Sequence, residues 1–175
     1  MVSIEIDFDF DDAFAEMFLR ASKHEFTIMN DGELTLEDVK EILTEGQKTG
    51  SVQDKERLGY LKIFVDDTLV GLSVPRVIDK REYRAWAIDP EKEYHRMGMI
   101  FIDEPYRGQG IAKQAAVQFI QEYPNLIWVI DPVNEPSKKV AAHIGLRHNV
   151  SLYTLGSLWR HKPWRHEKVL EVWSN

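Results

Sequence analysis

The sequence contains no cysteine. This absence excludes a disulfide framework, thiolate metal ligands and a catalytic thiol. No apolar run approaches the roughly 20 residues that a membrane-spanning helix needs. The first residues, Met1–Glu5, carry neither the basic region nor the apolar stretch of a signal peptide. We therefore expect a cytoplasmic protein that makes no contact with a membrane.

The length and composition indicate one globular domain. The chain has 175 residues, of which 43% are hydrophobic and 29% charged, so it can bury a sizeable core and disorder is not expected. No repeat, low-complexity tract or linker divides the sequence. We expect a single domain that spans residues 1–175.

The charge is unevenly distributed. Residues 1–56 contain 15 acidic and 5 basic side chains, a net charge of −10, whereas the whole chain carries −7. The remainder is therefore net positive, which suits an anionic ligand there. Solvated acidic helix faces explain the same pattern, and both interpretations stay open.

Two helices are predicted in the acidic part, after a short strand over Ser3–Asp9. Asp11 or Asp12 is a candidate cap for the first helix. Its apolar side recurs at helical spacing and consists of Phe14, Met17, Phe18 and Ala21. After a turn at residues 30–32, Thr35 and Asp38 form a capping box for the second helix. That helix is predicted to end at Gly46, with a loop over residues 46–57.

The rest of the chain alternates strands and helices. Strands are predicted at Tyr60–Val65, Leu69–Ile78, Met97–Asp103, Leu126–Ile130, Asn149–Leu155 and Lys168–Trp173. Asp66-Asp67-Thr68 is a hairpin turn between the first two, and residues 79–94 are a charged excursion. Helices are predicted at Ile111–Tyr123 and at Lys138–Ile144, which Gly145 stops. This order predicts a mixed α/β (α+β) fold.

The segment Tyr106–Lys113 carries the strongest functional signal. A buried strand turns through Gly108 and Gly110 into a helix, which leaves backbone N–H groups unpaired at the positive end of the helix dipole. Arg107 adds a positive charge. We expect a phosphorylated cofactor here. A Walker loop is excluded because Ile111 follows the last glycine, and a dinucleotide fingerprint lacks its third glycine because position 113 is lysine.

Arg107-Gly108-Gln109-Gly110-Ile111-Ala112 fits the R/Q-x-x-G-x-G/A signature, and the chain resembles the GCN5-related N-acetyltransferases (GNAT) superfamily. A second segment, Asn134–Leu146, is similar to a later block of that family. The resemblance covers roughly residues 60–150. It implies a GNAT-like acyl-CoA N-acyltransferase fold with a mixed central sheet flanked by helices, and acetyl-CoA as co-substrate. The implied cofactor-binding residues are Phe101, Ile102, Asp103, Arg107, Gly108, Gln109, Gly110, Ile111, Ala112, Asn134, Ser137 and Lys138.

The resemblance also implies direct attack of an amine on the acetyl thioester. Backbone N–H groups near Ile102 and Asp103 would hold the carbonyl, and Asp103 or Glu104 would take the proton of the amine; either carboxylate also suits a solvated strand end. Many members place the proton donor, a tyrosine, four residues before the glycine of the second block. Here that position is Ala141, so the candidate donors are His143 and Tyr153.

Two functions remain open from the sequence. The first is an acetyl-CoA-dependent N-acetyltransferase, a transferase that acts on a small-molecule or peptidic primary amine. The acidic first part favours a cationic amine. The second is a non-catalytic acyl-CoA-binding or interaction module on the same fold, which Ala141 favours. We expect a monomer or homodimer.

The segment around Trp159–Lys168 is basic and aromatic. It suits contact with RNA or another polyanion, and it equally suits long basic side chains that cover apolar surface. We do not expect nucleic acid as a partner. His161 and His166 lie in this segment without a carboxylate cluster or an HExxH pattern, so we expect no metal site.

Overall fold

The computed structural model describes residues 1–25, 34–49, 59–78, 83–98, 100–155 and 167–175. Their elements, in chain order, are β1 (Val2–Asp7), α1 (Asp12–Glu25), α2 (Leu36–Thr49), β2 (Tyr60–Val65), β3 (Thr68–Ser73), β4 (Arg76–Val77), β5 (His95–Met97), β6 (Ile100–Ile102), α3 (Ile111–Glu122), β7 (Leu126–Ile130), α4 (Glu135–His143), β8 (Arg147–Leu155) and β9 (Glu167–Ser174). A short 3-10 turn, Glu104–Tyr106, follows β6. The mixed α/β class is confirmed.

These elements form two compact units, and each unit uses two separate segments of the chain. The first unit comprises residues 1–76 and 99–115, and the second comprises residues 77–98 and 116–175. The first unit holds an antiparallel sheet of order β1-β2-β3-β6. The other sheet has the order β4-β5-β7-β9-β8, and it is mixed because β5 and β7 run parallel. The strands thus make two sheets where one central sheet was expected.

Helix α1 forms as predicted because it has a cap and one continuous apolar face. The Asp11 carboxylate accepts a hydrogen bond from the backbone N–H of Phe14 at 2.8 Å. All four predicted apolar side chains are buried, and they pack with Tyr60 and Leu72. Each of the three large side chains, Phe14, Met17 and Phe18, stabilises the fold by about 1.5–3 kcal/mol when it is fully buried.

Helix α2 begins at the predicted capping box. The backbone N–H of Thr35 donates to Asp38 Oδ2 at 2.8 Å, and the N–H of Asp38 donates to Thr35 Oγ1 at 3.2 Å. The predicted end at Gly46 is wrong, because the helix continues to Thr49. One glycine inside a helix costs only about 1 kcal/mol, which a well-capped helix tolerates. The predicted turn at residues 30–32 and the loop after residue 49 lie outside the described residues.

The β2–β3 hairpin turns where the sequence predicts. Asp66 and Asp67 both have positive φ, 47° and 65°, the combination that matches the right-handed twist of the flanking strands. The predicted strand Leu69–Ile78 is divided into β3 and β4. Pro75 lies between them, and its missing N–H interrupts a ladder.

The predicted strand Met97–Asp103 is also divided, and its two parts belong to different sheets. β5 pairs with β7 from His95 to Met97, whereas β6 pairs with β3. The chain changes its pairing partner after Gly98, a residue without a side chain to pack on either sheet. The expectation of one continuous central strand is therefore wrong.

The second unit has its own core and helix signals. Tyr83, Trp86 and Tyr94 from the charged excursion pack against Ile127 and Val172. α4 begins three residues before its predicted start. It is followed by Gly145 at φ 86°, as expected for a helix stop.

Among the described residues, no helix combines the length and the apolar character that crossing a bilayer requires.

Candidate functional site

The turn between β6 and α3 presents backbone N–H groups. Tyr106 and Arg107 donate their N–H groups back into the 3-10 turn, to Asp103 O and Glu104 O. The first hydrogen bond of α3 runs from the N–H of Gln114 to Gly110 O at 3.1 Å. The N–H groups of the three residues before Gln114 therefore have no acceptor inside the helix, and they lie at its positive end.

Gly108 and Gly110 give this turn its shape and its open surface. Each has φ +76°, a left-handed conformation that other residues adopt only at a cost. Both are exposed, and no described atom lies within 4 Å of the place where a Cβ would stand. A ligand can therefore approach the backbone closely at both positions.

The side chains of the turn fold back onto it and hold it in place. Arg107 donates its Nε hydrogen to the carbonyl oxygen of Ile102 at 2.8 Å, and its guanidinium carbon lies 5.3 Å from the centre of the Phe101 ring. Gln109 donates its side-chain amide to Pro105 O at 3.1 Å. Arg107 thus has a structural role at the end of β6, in addition to the positive charge predicted for a phosphate.

The β3–β6 pairing decides which backbone groups of β6 face outward. Asp103 donates its N–H to Val70 O at 2.8 Å, so the neighbouring pair, Ile102 and Gly71, is one without mutual hydrogen bonds. The N–H and C=O of Ile102 therefore point away from β3. The expectation that the N–H groups of both Ile102 and Asp103 are available to a ligand needs correction, because the N–H of Asp103 is used within the sheet.

The carboxylate of Asp103 is paired with a residue on α1. Arg20 donates from Nε to Oδ1 at 3.1 Å and from Nη2 to Oδ2 at 2.8 Å. The hydrogen bond to Asp103 raises the pKa of Arg20 above its usual value, against the opposing effect of burial. Glu104, the other predicted base, is exposed and forms no ion pair among the described residues.

The cofactor residues predicted from the second segment lie in the second unit and have local partners there. Asn134 caps α4, because its side-chain oxygen accepts the N–H of Ser137 at 3.1 Å. Lys138 donates to Pro132 O at 2.7 Å and pairs with Glu135 at 2.6 Å. The hydrogen bond to Glu135 raises the pKa of Lys138. These contacts position the start of α4, and the predicted role in cofactor binding stays a prediction.

The predicted proton donors also belong to the second unit. His143 is exposed in the last turn of α4, and Ala141 is completely buried. Tyr153 lies opposite Val169 in the β8–β9 pairing, but its side chain is outside the described residues. The same holds for His161, His166 and most of the basic-aromatic segment.

Sequence reasoning missed two residues of this site. Arg20 gave no signal, because its partner Asp103 lies 83 positions away. Gly71 did give a signal in the sequence, because a glycine inside an apolar strand often marks a close approach of two backbones.

Comparison with known proteins identifies the family. The sequence model described as the acetyltransferase (GNAT) domain matches residues 3–147. The chain therefore belongs to the GNAT acetyltransferase family, and the resemblance drawn from the two motifs is confirmed. No curated protein matches the chain by sequence.

Solved structures agree on the fold. The microcin C7 self immunity acetyltransferase MccE, solved with acetyl-CoA and AMP, is 16% identical, with TM-score 0.68 over 98% of this chain and 91% of that chain. A putative acetyltransferase from Salmonella typhimurium, yncA, solved with its cofactor acetyl-CoA, is 14% identical, with TM-score 0.62 over 99% and 92%. The ribosomal-protein-alanine N-acetyltransferase from Brucella melitensis is 15% identical, with TM-score 0.65 over 99% and 98%. The GNAT-like fold is confirmed.

Proposed function

We propose that the protein is an acetyl-CoA-dependent N-acetyltransferase that moves an acetyl group to a primary amine. The observation that carries this proposal is the open turn at Gly108 and Gly110, directly between β6 and α3. Family membership supports it. Two proteins of the same fold, MccE and yncA, are solved with acetyl-CoA.

The residues present fit the chemical parts of acetyl-CoA. Backbone N–H groups from Gly108 to Ala112 suit the pyrophosphate, because they lie at a helix N-terminus where the surface is open. The N–H of Ile102 points away from β3 and suits the thioester carbonyl, where it would stabilise the developing negative charge. The family resemblance adds Asn134, Ser137 and Lys138 to the proposed cofactor residues.

The transfer needs a proton acceptor and a proton donor. The amine nitrogen bonds to the acetyl carbon, the carbon–sulfur bond breaks, the amine loses a proton and the thiolate gains one. Glu104 suits the role of base better than Asp103, because both oxygens of Asp103 already accept hydrogen bonds from Arg20. His143 and Tyr153 remain the candidate donors.

We propose a cationic acceptor, such as a polyamine, a lysine side chain or an aminoglycoside. Residues 1–56 carry a net charge of −10. The carboxylates of Asp12, Glu16, Glu37 and Glu41 on α1 and α2 are exposed. An exposed negative field attracts a cation and repels an anion.

Calorimetry with acetyl-CoA tests the cofactor site. Gly110→Asn keeps a residue that tolerates positive φ but puts a side chain where the pyrophosphate would lie, so binding should be lost. Gly145→Asn is the matched control, because Gly145 also has positive φ but lies outside the turn, and this variant should bind as the parent does. Equal affinity of Gly110→Asn and the parent would show that the turn is not the phosphate site.

A second candidate is a module that binds acyl-CoA without turnover. Two observations favour it: Ala141 is buried where many members of the family have the tyrosine donor, and Asp103 is paired with Arg20. Thiol release from acetyl-CoA in the presence of a panel of amines separates the candidates. Release with at least one amine supports the transferase, and tight binding without release supports the module.

A further inference from the structure

The ion pair between Arg20 and Asp103 stands beside the backbone group to which we assign the thioester. Asp103 directly follows Ile102, and both of its carboxylate oxygens are held by the guanidinium of Arg20 at 3.1 and 2.8 Å. A planar guanidinium that binds both oxygens fixes the orientation of the carboxylate as well as its charge. The pair therefore defines the electrostatics of this end of β6.

The pair is reachable from solvent, and its two members differ in exposure. The side chain of Arg20 is 48% exposed and that of Asp103 is 22% exposed. A molecule that approaches from solvent can therefore contact the positive guanidinium of Arg20 more easily than the negative carboxylate of Asp103. Together they carry no net charge, although the surrounding first segment is strongly acidic.

We propose that Arg20 and Asp103 set the charge selectivity for the acceptor, with Arg20 as the specificity-determining residue that cancels the carboxylate beside the reacting thioester. This inference rests on the proposed transferase function. An acceptor with a second ammonium group near its reacting amine feels both charges of the pair. Loss of either partner leaves one uncompensated charge, and the two losses act in opposite directions.

The readout is a ratio of kcat/KM values for two acceptors, 1,4-diaminobutane and butylamine. The reacting amines are alike, and only the diamine carries an additional positive charge. Arg20→Gln exposes the carboxylate and should raise the diamine-to-monoamine ratio by about 3- to 10-fold, as for a unit charge acting over several ångströms in a largely aqueous setting. Asp103→Asn exposes the guanidinium and should lower the ratio by a similar factor.

Opposite shifts distinguish this role from a structural one. If the pair merely holds α1 against the end of β6, both variants lose kcat/KM for both acceptors and the ratio stays constant. If Asp103 also acts as the base, Asp103→Asn lowers kcat/KM for both acceptors. The diamine-to-monoamine ratio should still fall, because the charge of Arg20 is then uncompensated. The double variant Arg20→Gln/Asp103→Asn should restore the parent ratio, because it removes both charges. Arg20→Lys should stay near the parent ratio.

A matched control separates a local charge from the overall charge of the acidic segment. Lys40 pairs with Asp12 between α2 and α1 at 2.9 Å. Lys40→Gln changes the net charge as Arg20→Gln does, but beside Asp12 and away from β6, so the ratio should rise by less than with Arg20→Gln. In 1 M NaCl the shifts of Arg20→Gln and Asp103→Asn should shrink, since exposed charges are then screened within about 3 Å.

The outcomes distinguish this inference from the function on which it rests. If the parent transfers acetyl groups but both variants leave the ratio unchanged, or shift it in the same direction, the charge role is wrong and the transferase stands. The charge role is also wrong if Lys40→Gln shifts the ratio as much as Arg20→Gln. If the parent binds acetyl-CoA but acetylates no amine, the transferase proposal is wrong, and this inference with it.

Discussion

Gly71 on β3 faces Ile102 on β6 in a pair without mutual hydrogen bonds, where the two backbones come closest. A Cβ at position 71 would stand 2.5 Å from Phe101 O and 2.6 Å from Ile102 Cδ1. No side chain fits between the strands at this point. The glycine therefore sets how close β6 lies to β3, and with it the position of the Ile102 N–H.

Gly71→Ala should weaken both the fold and cofactor binding. The added methyl group forces β6 away from β3, and we expect a loss of about 1–3 kcal/mol in the free energy of unfolding, with a lower affinity for acetyl-CoA. Gly59→Ala is the matched control, because its Cβ meets the backbone of Asp7 on β1. It should destabilise the protein without changing the affinity. Urea unfolding and calorimetry measure the two effects, and equal affinities of the two variants would contradict the role of Gly71.

The local features of this fold could be predicted from the sequence, and the strand pairings could not. The cap and apolar face of α1 and the Asp66–Asp67 turn depend on residues a few positions apart, so a pattern shows them. The division of Met97–Asp103 depends on which strand lies beside each half, β7 for the first and β3 for the second. The partner of each half is decided by residues distant in sequence. An apolar run looks the same whether it forms one strand or two, so the sequence does not show the division.

The buried Ala141 predicts that the missing tyrosine cannot be restored by one substitution. Ala141→Tyr should destabilise the protein by about 1–3 kcal/mol, because the ring has no space in a packed site, and it should not increase thiol release. Ala142→Tyr is the control on the exposed side of the same helix and should leave stability nearly unchanged. A stable Ala141→Tyr variant with faster transfer would contradict this prediction. Thermal unfolding and a thiol assay measure the two quantities.

Lys62 is a buried cation between two carboxylates. Its Nζ lies 2.9 Å from Asp7 Oδ2 and 3.1 Å from Asp11 Oδ2. Burial lowers the pKa of Lys62, but the hydrogen bonds to both carboxylates outweigh this effect and raise it. The hydrogen bond to Lys62 lowers the pKa of Asp7, and the pKa of Asp11 is lowered first by the N–H of Phe14.

Lys62→Met should therefore leave two carboxylates facing each other without a cation. We expect a loss of about 1–3 kcal/mol in unfolding free energy at pH 7, less than for fully buried pairs because the carboxylates can rehydrate. Lys40→Met removes the partner of the exposed Asp12 and should have a smaller effect. Urea unfolding of both variants gives the comparison, and equal effects would show that the burial of Lys62 is unimportant.

The lowered pKa of His95 predicts that the protein loses stability between pH 7 and pH 5. Burial lowers its pKa from the ordinary 6.5, and Glu93 opposes this shift. Its ring lies 4.7 Å from that of Tyr123. Below pH 6.5 the unfolded chain binds a proton that the folded protein does not, so the free energy of unfolding falls as the pH falls towards the folded pKa. Asp7 and Asp11 also have lowered pKa values, but the stability that they contribute is lost only at more acidic pH, below 3.8.

His95→Phe keeps a ring against Tyr123 and removes the titrating group. The decline of stability from pH 7 to pH 5 should be smaller in this variant than in the parent. His143→Phe is the control at an exposed histidine and should keep the decline of the parent. Chemical unfolding at a series of pH values measures how the free energy of unfolding declines in the three proteins. The same slope in all three proteins would show that His95 does not carry the effect.

The acidic first segment predicts a salt-sensitive preference among acceptors. Polycationic amines should be acetylated faster than neutral or acidic ones. Their advantage should decline from 0.05 to 0.5 M NaCl, because exposed charges are screened within about 10 Å at 0.1 M. A panel assayed at several salt concentrations measures this preference. Faster transfer to neutral amines without a salt effect would show that the carboxylates do not contact the substrate.

The candidate site could be predicted where it depends on backbone shape and not where it depends on contacts. The glycines at positions 108 and 110 and the following helix predicted an open turn before a helix, and the structure has that turn; its binding of phosphate stays a prediction. The pairing of Asp103 with Arg20, and the use of its N–H by Val70, changed what that residue can do. Both partners come from elements far away in the chain, and no local pattern includes them.

The two compact units alternate along the chain, which bears on the order in which the protein can fold during synthesis. β6 and the turn at Gly108 and Gly110 belong to the first unit, yet they are made after residues 77–98 of the second. When a ribosome has released only the first 76 residues, β3 still lacks its neighbour β6 on one side. The edge of β3 that later receives β6 is therefore open for pairing during this interval. A nascent chain arrested at that length should depend on chaperones more than one arrested beyond residue 115.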